Sequence, residues 1–294
     1  MKLLILGSNG QVGYSLVEKA EAGGLMYTAK DRTQLDITDY DRLLQVIADE
    51  KPGCVINAIA YTNVEKAEEE KDLAFQVNAT AVGNLARICA ERDIPLIHIS
   101  TDYVFDGSGE EAHSESDKVN PLNVYGRSKL AGEKAIIDSK GKYVILRTSW
   151  VFGRHGSNFV KTMVNLFKIR DELNVVADQV GGPTYAGDLA EAILQIAGFI
   201  EKNPDFSGWG IYNFSGKRDV SWYEFARSIY KACKNSGIHV RDVKINPVGS
   251  SEYKTRAVRP LNSKLNLTRI HQVFNIEPGD WQHEIEHNIL CYEK

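Results

Sequence analysis

Lys2-Leu3-Leu4-Ile5-Leu6-Gly7-Ser8-Asn9-Gly10-Gln11-Val12-Gly13 is the stretch on which the fold turns. Lys2 to Leu6 is a short apolar run of the kind a buried parallel strand produces. It passes directly into a glycine-rich turn, and from Val12 to Ala20 the apolar residues fall at helical spacing. The glycines repeat as GxxGxxG. Gly7 and Gly10 permit a tight turn and the close approach of a pyrophosphate, and Gly13 lets the helix pack closely on the strand. Three glycines are weak evidence alone, because turns after strands are glycine-rich anyway. Their position between a strand and a helix predicts a dinucleotide-binding element with Gly7, Asn9, Gly10, Gln11, Val12 and Gly13 as cofactor contacts.

The 294 residues suffice for one large α/β domain or two linked ones, and 43% hydrophobic with 25% charged residues is ordinary globular composition. Lys plus Arg total 35 against 39 Asp plus Glu, a net charge of −4 and a pI near 6.0. No general attraction for nucleic acid or anionic membrane follows, so a bound anion needs a local site. Cys54, Cys89, Cys233 and Cys291 are widely separated, without CxxC spacing, which fits reduced thiols in a cytoplasm. The apolar run at Met1 to Leu6 is too short for a signal segment or membrane span, and a soluble cytoplasmic protein is expected.

Leu25 to Ala29 reads as a second strand ending in Lys30-Asp31-Arg32, where this fold reads the adenosine ribose. Asp31 argues for a free 2′-hydroxyl and NADH, whereas Lys30 and Arg32 suit the 2′-phosphate of NADPH. Asp36-Ile37 is an expected adenine contact, with Thr38 or Asp39 as the alternative cap of a helix over 39–50. Cys54 to Ala60 is a third buried strand, residues 72 to 93 a long helix, and Leu96 to Ser100 a fourth strand that delivers Thr101, Asp102 and Tyr103 at its C-terminal end. Further strands are expected at Tyr143 to Arg147, Leu173 to Val176 and Ile211 to Phe214, and helices at Tyr125 to Ser139, Phe159 to Ile169, Asp188 to Ile200 and Trp222 to Ala232. The alternation predicts an α/β fold, a doubly wound parallel (Rossmann-like) sheet, with a smaller C-terminal substrate-binding domain. Residues 1–150 form the dinucleotide-binding domain, rejoined by part of 173–214; residues 151–172 and 215–294 form the smaller one.

Tyr125-Gly126-Arg127-Ser128-Lys129 places a phenol and an ammonium one helical turn apart. A cation beside a phenol lowers its pKa from about 10, making a proton donor usable near neutral pH. Such pairs also arise by chance on surface helices. Convergence with the glycine turn and the strand-end Thr101 is what gives the pair meaning: Tyr125 protonates a carbonyl oxygen, Thr101 hydrogen-bonds it, and Lys129 holds the nicotinamide ribose and tunes the phenol.

The set resembles the extended short-chain dehydrogenase/reductase superfamily and, within it, the dTDP-4-dehydrorhamnose reductase family. The matching strings are Gly7 to Gly13, Asn57-Ala58 with Ala60-Tyr61-Thr62, Val77-Asn78-Ala79, Ser100-Thr101-Asp102-Tyr103-Val104-Phe105, Pro121 to Gly126, Lys129 to Lys134, Arg147 to Trp150, Asn158 to Met163, Asp178-Gln179, Gly182-Pro183-Thr184 and Arg259 to Ser263. They span nearly the whole chain in order. The resemblance implies Thr101, Tyr125 and Lys129 as catalytic triad, with Ala58, Ala60 and Tyr61 along the cofactor. It places Asp102, Tyr103 and Trp150 in the sugar pocket, Asn158 and Lys161 near the nucleotide-sugar phosphates, and Arg259 closing the pocket. Trp150 as a core aromatic and Arg259 as a surface arginine are the structural alternatives. The implied reaction is NADPH- or NADH-dependent reduction of a dTDP-4-keto-6-deoxysugar to dTDP-L-rhamnose. Some relatives are dimers with Mg2+ at the interface, and no acidic cluster here is assigned that role. The rivals are a nucleotide-sugar epimerase or dehydratase, and a non-catalytic subunit like the regulatory β subunit of methionine adenosyltransferase. His283-Glu284-Ile285-Glu286-His287 matches HExxH, but a solvated face of the last helix is the simpler reading than zinc.

Overall fold

The computed structural model describes residues 1–293. Strands β1 (Leu3–Leu6), β2 (Tyr27–Lys30), β3 (Cys54–Asn57), β4 (Leu96–Thr101) and β5 (Tyr143–Thr148) join Gly210–Asn213 in one six-stranded parallel sheet. The order across it is Gly210–Asn213, β5, β4, β3, β1, β2. The chain therefore winds one way from β1 to β2 and the other way from β1 to β3. The C-terminal ends of β1 and β3 flank the crevice where ligands bind in such sheets.

Alternation along β1 explains why its run is wholly apolar. Leu3 and Ile5 face helices Gln11–Ala22 and Ala186–Lys202, while Leu4 and Leu6 face helices Tyr40–Glu50, Ala81–Glu91 and Val124–Asp138. Asn123 starts the last of these helices: its side-chain oxygen accepts from the Gly126 N–H at 2.8 Å, and its amide donates to the Val258 carbonyl at 2.8 Å.

Phe159–Ile169, Trp222–Ser236 and Trp281–Asn288 build a second core around Phe152, Phe167, Phe225, Trp281 and Tyr292. Ser221 and Glu224 form a reciprocal capping box on the middle helix, fixing where Trp222 enters.

Three expectations are revised. Glu172–Val176 does not rejoin the large sheet but pairs in register with Lys244–Val248 in a separate two-stranded sheet. Its first half is exposed or half-buried, which suits that edge and not a strand covered on both faces. Of the 173–214 span expected to rejoin in part, Ala186–Lys202 and Gly210–Asn213 are the elements that return to the large unit. Conversely, Thr268–Phe274, expected in the small domain, sets Ile270 and Phe274 into the large sheet's core. The helix expected over 72 to 93 is broken by a π-helical turn at Gln76–Thr80, a form common beside functional sites.

Among the described residues, no helix is long and apolar enough to cross a membrane. Cys54, Cys89 and Cys233 are buried free thiols, and Cys291 is an exposed one.

Candidate active site

The glycine turn has the shape of an anion cradle. Gly7 lies at φ +88°, a left-handed conformation that side chains disfavour, and a Cβ at Gly13 would collide with the Gly7 carbonyl oxygen. Helix Gln11–Ala22 begins at Gly10 with no side-chain cap and no acidic residue in its first turn, so its leading N–H groups stay free for a negative ligand. Two adjoining cavities share Asn9, Gly10, Ala58 and Ala60 in their walls. One, about 670 Å³, adds Gly7, Arg32, Asp36, Ile37 and Tyr61; the other, about 610 Å³, adds Gln11, Val12, Thr101, Asp102, Tyr103, Tyr125, Lys129 and Trp150. Apart from Asp31 and Gly13, which line neither cavity, the predicted cofactor residues thus share one continuous groove with Thr101, Tyr125 and Lys129. A dinucleotide fits this cradle.

Asp31 is consumed by its own turn. Its carboxylate accepts from the Thr33 hydroxyl at 2.6 Å, the Thr33 and Gln34 N–H groups, and Asn9 Nδ2 at 2.7 Å, and these bonds lower its pKa. Lys30 is drawn to Glu50 at 3.3 Å. Arg32 is left exposed at the groove's rim. Asp36 likewise holds Thr38, whose N–H and hydroxyl bond its carboxylate, while Asp39 caps the helix from Tyr40.

Thr101 ends β4 with its hydroxyl on the Asp102 carboxylate at 3.0 Å and against the Tyr125 phenol. The rings of Tyr103 and Tyr125 meet edge to face at 5.6 Å. Lys129 corrects one expectation. Its amine is held by other partners, donating to the Ile99 carbonyl at 2.7 Å and lying 3.2 Å from His98 Nε2. The Tyr125 pKa is accordingly not lowered: burial pushes it up to about 12, and the Thr101 contact only partly offsets this. Burial also brings Lys129 down to about 8 against the attraction of Glu133. Asp102, buried, is raised to about 6, and its Oδ2 has no partner.

The remaining sugar-pocket residues divide. Trp150 takes a left-handed backbone, φ +47°, costly for a side-chain-bearing residue, and stacks on Trp222 with centroids 3.6 Å apart and planes 10° apart. It is half-buried, packing against the second core while also lining the groove. Beyond Trp222 lies a cavity of about 730 Å³, the largest of the three, lined by Phe159, Met163, Val258 and Arg259 and by no member of the triad. Arg259 pairs with Glu65 at 2.8 Å, tying the C-terminal segment across the groove. Asn158 is otherwise engaged: it caps helix Phe159–Ile169 and donates to the Gly153 carbonyl and Gln11. Neither Asn158 nor Lys161 is in the cavity walls.

Trp222 joins both substrate-side cavities. Sequence reading assigned it only to an aromatic helix; the Ser221/Glu224 capping box was the signal that it sits at an entry point. His98 and Asn57, sunk in apolar strands, gave none. Glu284 of the HExxH string turns toward Arg154, Asn288 and Tyr292, while His287 Nδ1 bonds the His283 carbonyl. Among the described residues, no group of three or more His, Cys, Asp or Glu is placed to hold a metal ion.

Residues 1–293 match the family model described as RmlD substrate binding domain. The chain is 44% identical over 292 residues to the dTDP-4-dehydrorhamnose reductase of Aggregatibacter actinomycetemcomitans, covering 99% of each. Crystal structures of a dTDP-4-dehydrorhamnose reductase ortholog from Clostridium acetobutylicum (38% identity, all of both chains, TM-score 0.91) and of the Bacillus anthracis enzyme in complex with NADP (35%, 98% of both, 0.89) have the same fold. With glycine turn, triad and whole-length similarity in agreement, the chain belongs to the dTDP-4-dehydrorhamnose reductase family.

Proposed function

We propose that the protein reduces dTDP-4-dehydro-L-rhamnose to dTDP-L-rhamnose with NADPH, residues 151–172 and most of 215–294 forming the sugar-nucleotide side of the site. The observation that carries this reading is that Thr101, Tyr125 and Lys129 open on the same groove as the glycine turn. The reduced nicotinamide, when bound, supplies the hydride to the sugar's C4 carbonyl. Tyr125 donates the proton to the developing alkoxide, and Thr101 hydrogen-bonds the same oxygen. The Gly7–Gly13 turn and the first N–H groups of the following helix hold the pyrophosphate. Lys129 reaches the ribose hydroxyls. The stacked Trp150 and Trp222 shape the sugar subsite, and Phe159, Met163 and Arg259 line the space for the deoxythymidine diphosphate.

Purified protein mixed with the 4-keto sugar is expected to oxidise NADPH one for one with sugar reduced. Turnover of sugar without net cofactor oxidation would favour an epimerase or dehydratase, and no turnover would favour a binding subunit.

Cofactor choice falls to Arg32, the cation of this turn left exposed at the groove. A charge-assisted hydrogen bond to a 2′-phosphate is worth about 1.5–3 kcal/mol. Arg32→Ala is therefore expected to raise KM for NADPH about 10- to 100-fold with little change for NADH. Equal changes for both cofactors in steady-state assays would place the 2′-phosphate elsewhere.

A further inference from the structure

The buried run from Asn57 through His98 to Lys129 holds one proton too many for a charged lysine. The Ile59 N–H donates to Asn57 Oδ1 at 3.0 Å, which fixes the orientation of that amide. Asn57 Nδ2 must then donate to His98 Nδ1, 3.0 Å away. His98 is fully buried, and burial alone, the largest influence on the ring, holds its pKa below the ordinary value whatever the charge on Lys129, so the ring is neutral. A neutral ring accepting at Nδ1 carries its proton on Nε2. That N–H points at Lys129 Nζ, 3.2 Å away. An ammonium has no lone pair to receive it, and two donors would face each other in a dry interior. An amine resolves the conflict by accepting from His98 while donating to the Ile99 carbonyl at 2.7 Å.

We propose that His98 is a positioning residue: locked by Asn57 as the Nε2–H tautomer, it donates to Lys129 and keeps that side chain an uncharged amine, held at the Ile99 carbonyl, in the resting site. The titratable neighbours of Lys129 besides His98 are Tyr125, one turn before it on the same helix, and Glu133, one turn after it, whose attraction raises the lysine and which is itself paired with Arg147 from β5. Burial, against the attraction of Glu133, leaves the lysine at about 8, close enough to neutral pH for one misdirected N–H to decide its charge. The lysine then becomes the cation that stabilises a tyrosinate only after leaving His98.

The tautomer is read in nitrogen-15 spectra of the intact, unliganded protein labelled at histidine, with His98→Gln identifying the resonance. The expected result is a His98 ring protonated on Nε2, bare at Nδ1, and not titrating across the range where a free imidazole does, about pH 5.5 to 7.5. A proton on Nδ1, or an imidazolium, overturns the proposal. This arm needs no turnover, so its failure is distinct from failure of the reductase reading. The kinetic arm rests on that reading. His98→Leu removes the N–H, and the alkaline limb of kcat/KM is expected to move up by about one pH unit, a tenfold change in the amine's protonation equilibrium. His98→Gln, with an amide N–H in place of Nε2–H, returns the limb toward the wild-type position. A Leu variant that loses activity without moving the limb has only a packing defect, and that overturns the proposal. Should His98→Leu not fold, the wild-type tautomer decides alone.

Discussion

Tyr125→Phe is expected to lower kcat by about 10²- to 10⁴-fold, the usual contribution of a positioned general acid, with the Kd for NADPH near the wild-type value. In the proposed reaction the phenol is the proton donor, and it lines the groove together with Thr101. Thr101 can hold the carbonyl oxygen but is itself donating to Asp102. With its pKa raised to about 12 by burial, Tyr125 stays protonated through the neutral range. The donor form is thus populated throughout that range, and on the proposed mechanism the pH dependence of reduction is expected from other groups, chiefly Lys129. Single-turnover absorbance at the nicotinamide band, beside a fluorescence titration of NADPH, separates chemistry from binding. Near-normal turnover in the Phe variant would remove Tyr125 from the mechanism.

What the sequence disclosed follows from which interactions are local. The strand-turn-helix at Lys2 to Ala20 and the Tyr125/Lys129 spacing are set within a few residues, and their periodicity is visible in one dimension. The division of labour among polar residues is not. Asp31 reads as a ribose ligand until its partners Asn9, Thr33 and Gln34 are seen to occupy it, and Asn158 reads as a phosphate ligand until its cap and its bond to Gln11 are seen. Glu172–Val176 has a strand's composition, but its partner is Lys244–Val248, some seventy residues on, and no local pattern selects that pairing over the large sheet. The direction of the Lys129 amine was equally hidden. Spacing places the side chain on the Tyr125 face, but His98 and the Ile99 carbonyl, 30 residues upstream, hold its tip.

Glu133→Gln is expected to destabilise the fold by about 3–5 kcal/mol, the cost of stranding one member of a buried ion pair. Glu133 and Arg147 are 1% and 2% exposed, joined by two parallel bonds of 3.0 and 2.7 Å, with the Ser100 hydroxyl donating to the same carboxylate at 2.5 Å. The pair ties helix Val124–Asp138, which carries Tyr125 and Lys129, to β4 and β5 directly beneath the triad. Glutamine keeps the shape but leaves the guanidinium charged and uncompensated away from water. Urea unfolding measures the loss. The double variant Glu133→Leu with Arg147→Met should lose much less than the two singles together, because it removes both desolvated charges. Additive losses would mean that each group is held by its other contacts and the pair contributes nothing. The two singles also separate in pH dependence. Glu133 attracts a proton to Lys129, so Glu133→Gln lowers the lysine's pKa below about 8 and draws the alkaline limb of reduction downward. Arg147→Met leaves that carboxylate unneutralised, strengthens its pull on Lys129 and moves the limb upward. Opposite shifts from two comparably destabilising substitutions cannot come from loosened packing, and they would identify the charge of this pair as what poises the lysine.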